Sequence, residues 1–212
     1  KRTLSSPHDI PFIENLSPPQ LQTLRKAYFL ELGKYTKIEC QVCTIDKFPL
    51  NILNLPLIYR AFPKAKYLLA IRHPLDVILS CFMQNFKINP QMANMVSLDQ
   101  ITQFYCIAMQ QLTLCEKRYS LSLHTIRYED LITSFQTTTN SILEYLDLEW
   151  ETKLANHGST AKARAIINTP SYSQVIQPLY KTALYRWKNY RDFFEDYYAN
   201  VEPWVKKFGY SL

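Results

Sequence analysis

The sequence predicts an α/β fold, a parallel sheet covered by helices, and three observations carry that prediction. Tyr67-Leu-Leu-Ala-Ile71 is a continuous apolar run of strand length, the pattern of a strand buried in a parallel sheet. Leu123 to about Tyr128 reads as a second strand. Each run gives way abruptly to polar residues and then to helical periodicity: Arg72-His-Pro-Leu-Asp76 ahead of a helix to about Phe86, and Glu129-Asp-Leu131 ahead of a helix near 136–147. Strands that alternate with helices build a parallel sheet, and ligands bind at the carboxyl edge of such sheets.

The remaining elements follow in chain order. Ser17-Pro-Pro-Gln20 is a helix start, with Ser17 as N-cap, Pro18 at the first helical position and Gln20 closing a capping box; the helix runs to about Gly33. A strand near 39–45 follows. Pro49 opens a short helix over about 50–61 that Pro56 breaks or kinks. After a polar loop near 88–97, Ser97 caps a long amphipathic helix to about Tyr119, with Leu98, Ile101, Tyr105, Ala108 and Leu112 on one stripe. An irregular segment at 152–177 and two helices near 178–190 and 194–207 finish the chain. No repeat or low-complexity segment interrupts this order, so residues 1–212 read as a single domain.

Composition narrows the function. The chain has 212 residues, 47% hydrophobic and 20% charged, which excludes a disordered protein and leaves enough material for a sizeable core. No apolar run reaches the roughly 18 residues of a membrane span. Glycine is scarce: Gly33, Gly158 and Gly209 are the only three, against about 15 at average usage, so no glycine-rich phosphate loop can be built. The first residue is Lys1, which points to a processed chain or to part of a longer one. The net charge of +6 is concentrated in residues 1–100, with 12 Lys and Arg against 7 Asp and Glu. That bias suits a small anionic ligand, an acidic substrate or an ordinary solvated surface; a nucleic-acid interface rests on the pI near 9.0 alone. Cys40 and Cys43 form a CxxC without a second pair or a histidine at zinc spacing, so no metal site is predicted. They read as part of a strand with a core-facing thiol. Five cysteines with no secretory signal point to a reducing compartment, the cytoplasm.

Three strand ends carry the chemistry. Arg72 stands where a buried strand stops, beside the free amides of the next helix, with Ser80 two turns further on; the pair suits an anion, and an Arg72 to Asp76 ion pair at the surface is the competing use. Lys47 lies between Asp46 and a proline-started helix, placed either to neutralise a bound phosphate or sulfate or simply to be solvated. Tyr128 ends another strand, where it either joins the core or stacks on a base.

The order of the motifs is more specific than any one of them. Asp46-Lys-Phe-Pro-Leu-Asn51 is followed by Phe62-Pro-Lys-Ala-Lys-Tyr-Leu-Leu-Ala-Ile-Arg-His-Pro-Leu-Asp76 with Ser80, then by Arg127-Tyr-Glu-Asp-Leu131. Thr169-Pro-Ser-Tyr-Ser-Gln-Val-Ile-Gln-Pro-Leu-Tyr180, Tyr185-Arg-Trp-Lys-Asn-Tyr190 and Lys207-Phe-Gly-Tyr210 close the series. Together these resemble the sulfotransferase family, in particular the bacterial members fused to tetratricopeptide repeats and, further off, the tyrosylprotein sulfotransferases. The resemblance implies a P-loop-hydrolase-like fold and transfer of a sulfuryl group from 3′-phosphoadenosine 5′-phosphosulfate to a hydroxyl or amine of a small-molecule or peptide acceptor, without a metal. It assigns Arg72 and Ser80 to the 3′-phosphate, Tyr128 to the adenosine pocket and Lys47 to the bridging oxygen of the departing sulfuryl group. It sets Tyr185 and Lys181 over the cofactor. It also implies tetratricopeptide repeats upstream in the parent protein, and neither nucleic acid nor membrane as partner.

The chain departs from the pattern in several places. Tyr185 stands where the tyrosylprotein enzymes carry an assisting serine, and Gln84 where they carry a further arginine, which leaves Lys181 to share the 3′-phosphate. Nothing in residues 1–46 resembles the family's first strand, its Pro-Arg-Ser-Gly-Thr-Thr loop or the general base that follows; His8 and Asp9 are poor substitutes in a proline-flanked setting. The expectation is therefore an incomplete domain that carries the 3′-phosphate and adenosine half of a transfer site. A non-catalytic remnant of the fold, acting as a nucleotide-binding or partner-binding scaffold, is the alternative. Acceptor specificity is expected in the loops at 88–97 and 152–177.

Overall fold

In the computed structural model, residues 10–38, 43–84, 95–156 and 181–212 are described. The chain divides into two compact units, Lys1–Lys66 with Ala108–Ser122, and Tyr67–Ile107 with Leu123–Leu212.

The first unit is helical. A short α1 (Ile10–Glu14) precedes α2 (Pro18–Leu32), whose start is the expected one: the Gln20 side-chain carbonyl accepts from the Ser17 N–H at 2.8 Å, and two prolines occupy the first turn. The expected helix after Pro49 is split, with a 3-10 helix Pro49–Asn54 running into α3 (Leu55–Ala61), so the break falls next to Pro56 as the sequence requires. Tyr28, Phe29 and Phe62 pack edge to face at centroid distances of 5.1–5.9 Å. The expected strand at 39–45 is not observed over Cys43–Ile45, where the backbone has no regular structure and Cys43 is exposed; residues 39–42 lie outside the described residues.

In the second unit, β1 (Tyr67–Ile71) pairs in parallel with β2 (Leu123–Arg127), in register Tyr67↔Leu123 through Ile71↔Arg127. The parallel prediction holds, and among the described residues the sheet has these two strands. Its covering is thinner than expected. Leu68 and Ala70 are exposed, and Tyr145 of α7 (Phe135–Leu146) stacks on His124 at 4.9 Å and accepts from the Tyr67 N–H at 3.1 Å. β2 stops one residue early: Tyr128 opens α6 (Tyr128–Thr133), whose first turn holds Glu129 and Asp130 at the positive end of the helix.

The other described α-helices are α4 (Pro74–Phe82), α5 (Leu98–Tyr119), α7 (Phe135–Leu146) and α8 (Tyr198–Lys207). The Ser97 hydroxyl caps α5 by accepting from Gln100 N–H at 3.2 Å. That helix passes through both units; Ile101 is buried in the second, and Ala108 and Leu112 are buried in the first. The core of the second unit is Leu75, Ile78 and Leu79 of α4 with Ile101, Trp187, Phe194, Val201 and Val205. Where two late α-helices were expected, the chain forms a 3-10 helix Arg186–Tyr197, interrupted at Tyr190, and then α8; residues 178–180 are outside the described set. A short 3-10 helix, Thr152–Asn156, occupies the start of the expected irregular segment.

Candidate functional site

The ends of β1 and β2 place Arg72 beside Tyr128. The guanidinium carbon of Arg72 lies 5.0 Å from the Tyr128 ring centroid, a cation over an aromatic face. Its Nη2 is 3.3 Å from Asp76 Oδ2 and donates to the Ala183 carbonyl. The competing sequence reading, an ion pair with Asp76, is therefore present, but it is not a surface pair. The Asp76 carboxyl is fully buried and the Arg72 side chain only 20% exposed. The second Asp76 oxygen accepts from the Trp187 N–H at 2.9 Å, so one carboxylate fixes both the arginine and the segment that crosses α4.

His73 is completely buried and serves as N-cap of α4. Its Nδ1 accepts from the Leu75 N–H at 3.3 Å, which puts the ring proton on Nε2, where it donates to the Ser211 carbonyl at 3.1 Å. The ring lies flat on Trp187, 4.9 Å between centroids at 18°. Burial pushes the pKa of His73 below the ordinary imidazole value, against the raising effect of the Ser211 carbonyl and of the Asp76 and Glu129 charges. Glu129 is buried next to it, with Oε1 accepting from the His73 N–H at 3.0 Å and Oε2 from the Tyr210 hydroxyl at 2.5 Å. Burial and the Glu129 carboxylate together push the Tyr210 phenol well above its usual range.

Ser80 is exposed on α4 and Lys181 is exposed ahead of the 3-10 helix. Tyr185 is half-buried in left-handed backbone at φ 50°, its ring edge-on to His73 at 5.9 Å, with Lys188 Nζ 5.1 Å from its centroid. Lys47 is exposed in the first unit. It lines a cleft of about 310 Å³ with Tyr28, Glu31, Leu32, Tyr35, Ile45 and Asp46. Asp46, beside it, accepts from the Tyr28 hydroxyl at 3.0 Å and from Asn51 Nδ2 at 3.1 Å. His8, Asp9 and the Thr169–Tyr180 motif lie outside the described residues, as does most of each proposed specificity loop. Among the described residues, no group of three or more His, Cys, Asp or Glu side chains is placed to hold a metal ion, and no helix is long and apolar enough to cross a membrane.

The family model described as "Sulfotransferase family" matches residues 10–152, well over half the chain. The chain belongs to the sulfotransferase family. Among curated relatives, this chain is 24% identical over 164 residues to an uncharacterized protein of Aquifex aeolicus, covering 77% of this chain and 21% of that one. It is 26% identical over 172 residues to protein-tyrosine sulfotransferase A of Caenorhabditis elegans, covering 78% of this chain and 44% of that one. The chain thus spans less than half the length of these relatives. Among solved structures, the sulfotransferase domain from the curacin biosynthetic pathway superposes with a TM-score of 0.62 at 18% identity, over 94% of this chain and 76% of that one. The likeness establishes a sulfotransferase fold.

Sequence reasoning did not foresee the polar partners behind this site. Asp76 was visible as an i,i+4 partner of Arg72, but its bond to Trp187 spans 111 residues. The roles of Glu129, His73 and Tyr210 likewise depend on contacts across 56 to 138 residues, for which local spacing gives no signal.

Proposed function

We propose that the chain binds the 3′-phosphate and adenosine of 3′-phosphoadenosine 5′-phosphosulfate and takes part in sulfuryl transfer to a hydroxyl or amine. The observation that carries this reading is Arg72, a largely buried guanidinium at the carboxyl end of a parallel strand and at the start of α4, set over the ring of Tyr128 at the end of the neighbouring strand. A fixed positive charge beside an aromatic ring suits a phosphorylated nucleoside, and the position is the one at which parallel sheets bind ligands. Arg72 grips the 3′-phosphate, Ser80 adds a hydroxyl from α4, Tyr128 lies along the adenosine, and Lys181 and Tyr185 approach from the late segment.

The donor, when bound, supplies an activated sulfuryl group whose bond to the bridging oxygen breaks as a bond to the acceptor oxygen or nitrogen forms. This chain's own contribution to that step is Lys47, whose ammonium offsets the charge building on the bridging oxygen. The donor's 5′ side needs backbone amides of a kind that the three glycines do not supply, so the share of the site held by these residues is the 3′-phosphate and adenosine half.

Calorimetric titration with adenosine 3′,5′-bisphosphate tests the reading. Binding is expected, weakened about 30-fold or more in Arg72→Ala, the scale for removing one partner of a desolvated charge pair. No heat of binding to the unmodified chain, or equal affinity of the variant, overturns it.

A further inference from the structure

We infer that Glu129 and Tyr210 are positioning residues for the anion site: the closing Gly209–Ser211 segment clamps the ends of both strands and so sets Arg72 against Tyr128. The inference rests on the assignment of Arg72 to a phosphate made above.

The clamp is built from three successive residues. α8 ends at Lys207, and Gly209 turns the chain in left-handed backbone at φ 69°, a conformation that favours glycine, with the Tyr210 N–H returning to the Val205 carbonyl at 2.8 Å. The Gly209 carbonyl then accepts from Arg127 Nη1 at 3.4 Å, the Tyr210 hydroxyl donates to Glu129 at 2.5 Å, and the Ser211 carbonyl accepts from His73 Nε2 at 3.1 Å. Arg127 also lies over the Tyr210 ring, 4.1 Å from its centroid. Gly209 thus touches the last residue of β2, while Tyr210 and Ser211 touch Glu129 and His73, each two residues beyond the end of its strand.

Glu129 turns this contact into alignment. The strand ladder stops at Ile71↔Arg127, and the two residues that meet to form the anion site, Arg72 and Tyr128, come immediately after it. One residue further on, Glu129 accepts the His73 N–H and so continues the tie between the two chain segments past the end of the ladder. A buried carboxylate holds such a position firmly, because an unpaired alternative is costly in a low-dielectric setting. The Tyr210 hydroxyl satisfies its other oxygen with a short, charge-assisted bond. Without that bond Glu129 turns towards water, the His73 N–H loses its aligned acceptor, and Arg72 shifts relative to the Tyr128 ring.

Tyr210→Phe isolates the effect, since it keeps the ring under Arg127 and removes only the hydroxyl. The affinities of unmodified and variant chains for adenosine 3′,5′-bisphosphate and adenosine 5′-monophosphate are compared by calorimetry, with thermal unfolding recorded alongside. The variant is expected to bind the bisphosphate about tenfold more weakly and the monophosphate within about twofold of the unmodified chain, because only the former engages Arg72. Unchanged bisphosphate affinity, or an equal loss for both ligands, overturns the clamp even if the melting temperature falls. If Tyr210→Phe does not fold, Glu129→Ala takes its place under the same criteria, as it removes the acceptor of the His73 N–H. Failure of the unmodified chain to bind the bisphosphate removes the Arg72 assignment and the clamp together. Binding that depends on Arg72 but not on Tyr210 or Glu129 removes the clamp alone.

Discussion

Replacing Asp76 with alanine removes the single carboxylate that joins Arg72 to the Trp187 segment. One of its oxygens accepts from the Trp187 N–H at 2.9 Å and the other faces Arg72 Nη2 at 3.3 Å, with no solvent exposure of the carboxyl. A hydrogen bond to a charged group contributes about 1.5–3 kcal/mol. Breaking a buried ion pair costs about 3–5 kcal/mol, because the abandoned charge stays out of water. Here the lower end applies: the Arg72 side chain is 20% exposed, so water takes over part of its solvation, and both contacts share one carboxylate and do not add. The expected loss is about 3 kcal/mol, which in a chain of this size lowers the melting temperature by roughly 6–12 °C. Asp76→Asn keeps an oxygen for the Trp187 N–H and loses only the charge, so about half that loss is expected. Urea titration followed by tryptophan fluorescence reads both variants, since Trp187 is 1% exposed and stacked on His73. An alanine variant within about 0.5 kcal/mol of the unmodified chain refutes the reasoning, and so does an asparagine variant as damaged as alanine.

Two further outcomes follow from the same region, beside the Arg72→Ala and Tyr210→Phe titrations already set out. The pKa of His73 is lowered by burial, so the folded chain takes up this proton less readily than the unfolded one. Its contribution is complete above about pH 6.5 and is lost as the pH falls through the lowered folded value; the melting temperature of the unmodified chain should drop between pH 7.5 and 5.5, and more steeply than that of His73→Gln. Gly209→Ala should cost about 1 kcal/mol by urea titration, through backbone strain alone. The added methyl has room: its nearest neighbour is Arg127 Nη1 at 3.7 Å, so a loss of several kcal/mol would show that space rather than φ sets the cost.

Much of the fold is legible along the chain because its causes are local. The capping box of α2, the Ser97 cap of α5, the apolar run of β1 and the break beside Pro56 each depend on residues a few positions apart. One departure has a local cause and another a tertiary one. The strand predicted from Leu123 to about Tyr128 ends its ladder at Arg127, where two acidic residues favour a helix start. The sequence predicts helices near 178–190 and 194–207, yet Tyr190 leaves helical backbone and Arg186–Tyr197 winds as a 3-10 helix with Trp187 and Phe194 buried. Tertiary packing of two large rings outweighs a weak propensity.

By itself the sequence determined the parallel α/β order, the membership of the sulfotransferase family and the placement of Arg72 at a strand end, because strand length, turn chemistry and motif order are all written in near neighbours. Tertiary structure alone decided what surrounds that arginine. It bonded buried Asp76 to the Trp187 N–H, gave His73 Nε2 a carbonyl 138 residues away, and brought Tyr210 to Glu129 across 81 residues. Buried polar groups must find partners wherever the fold places them, and sequence spacing does not record which distant donors and acceptors will meet.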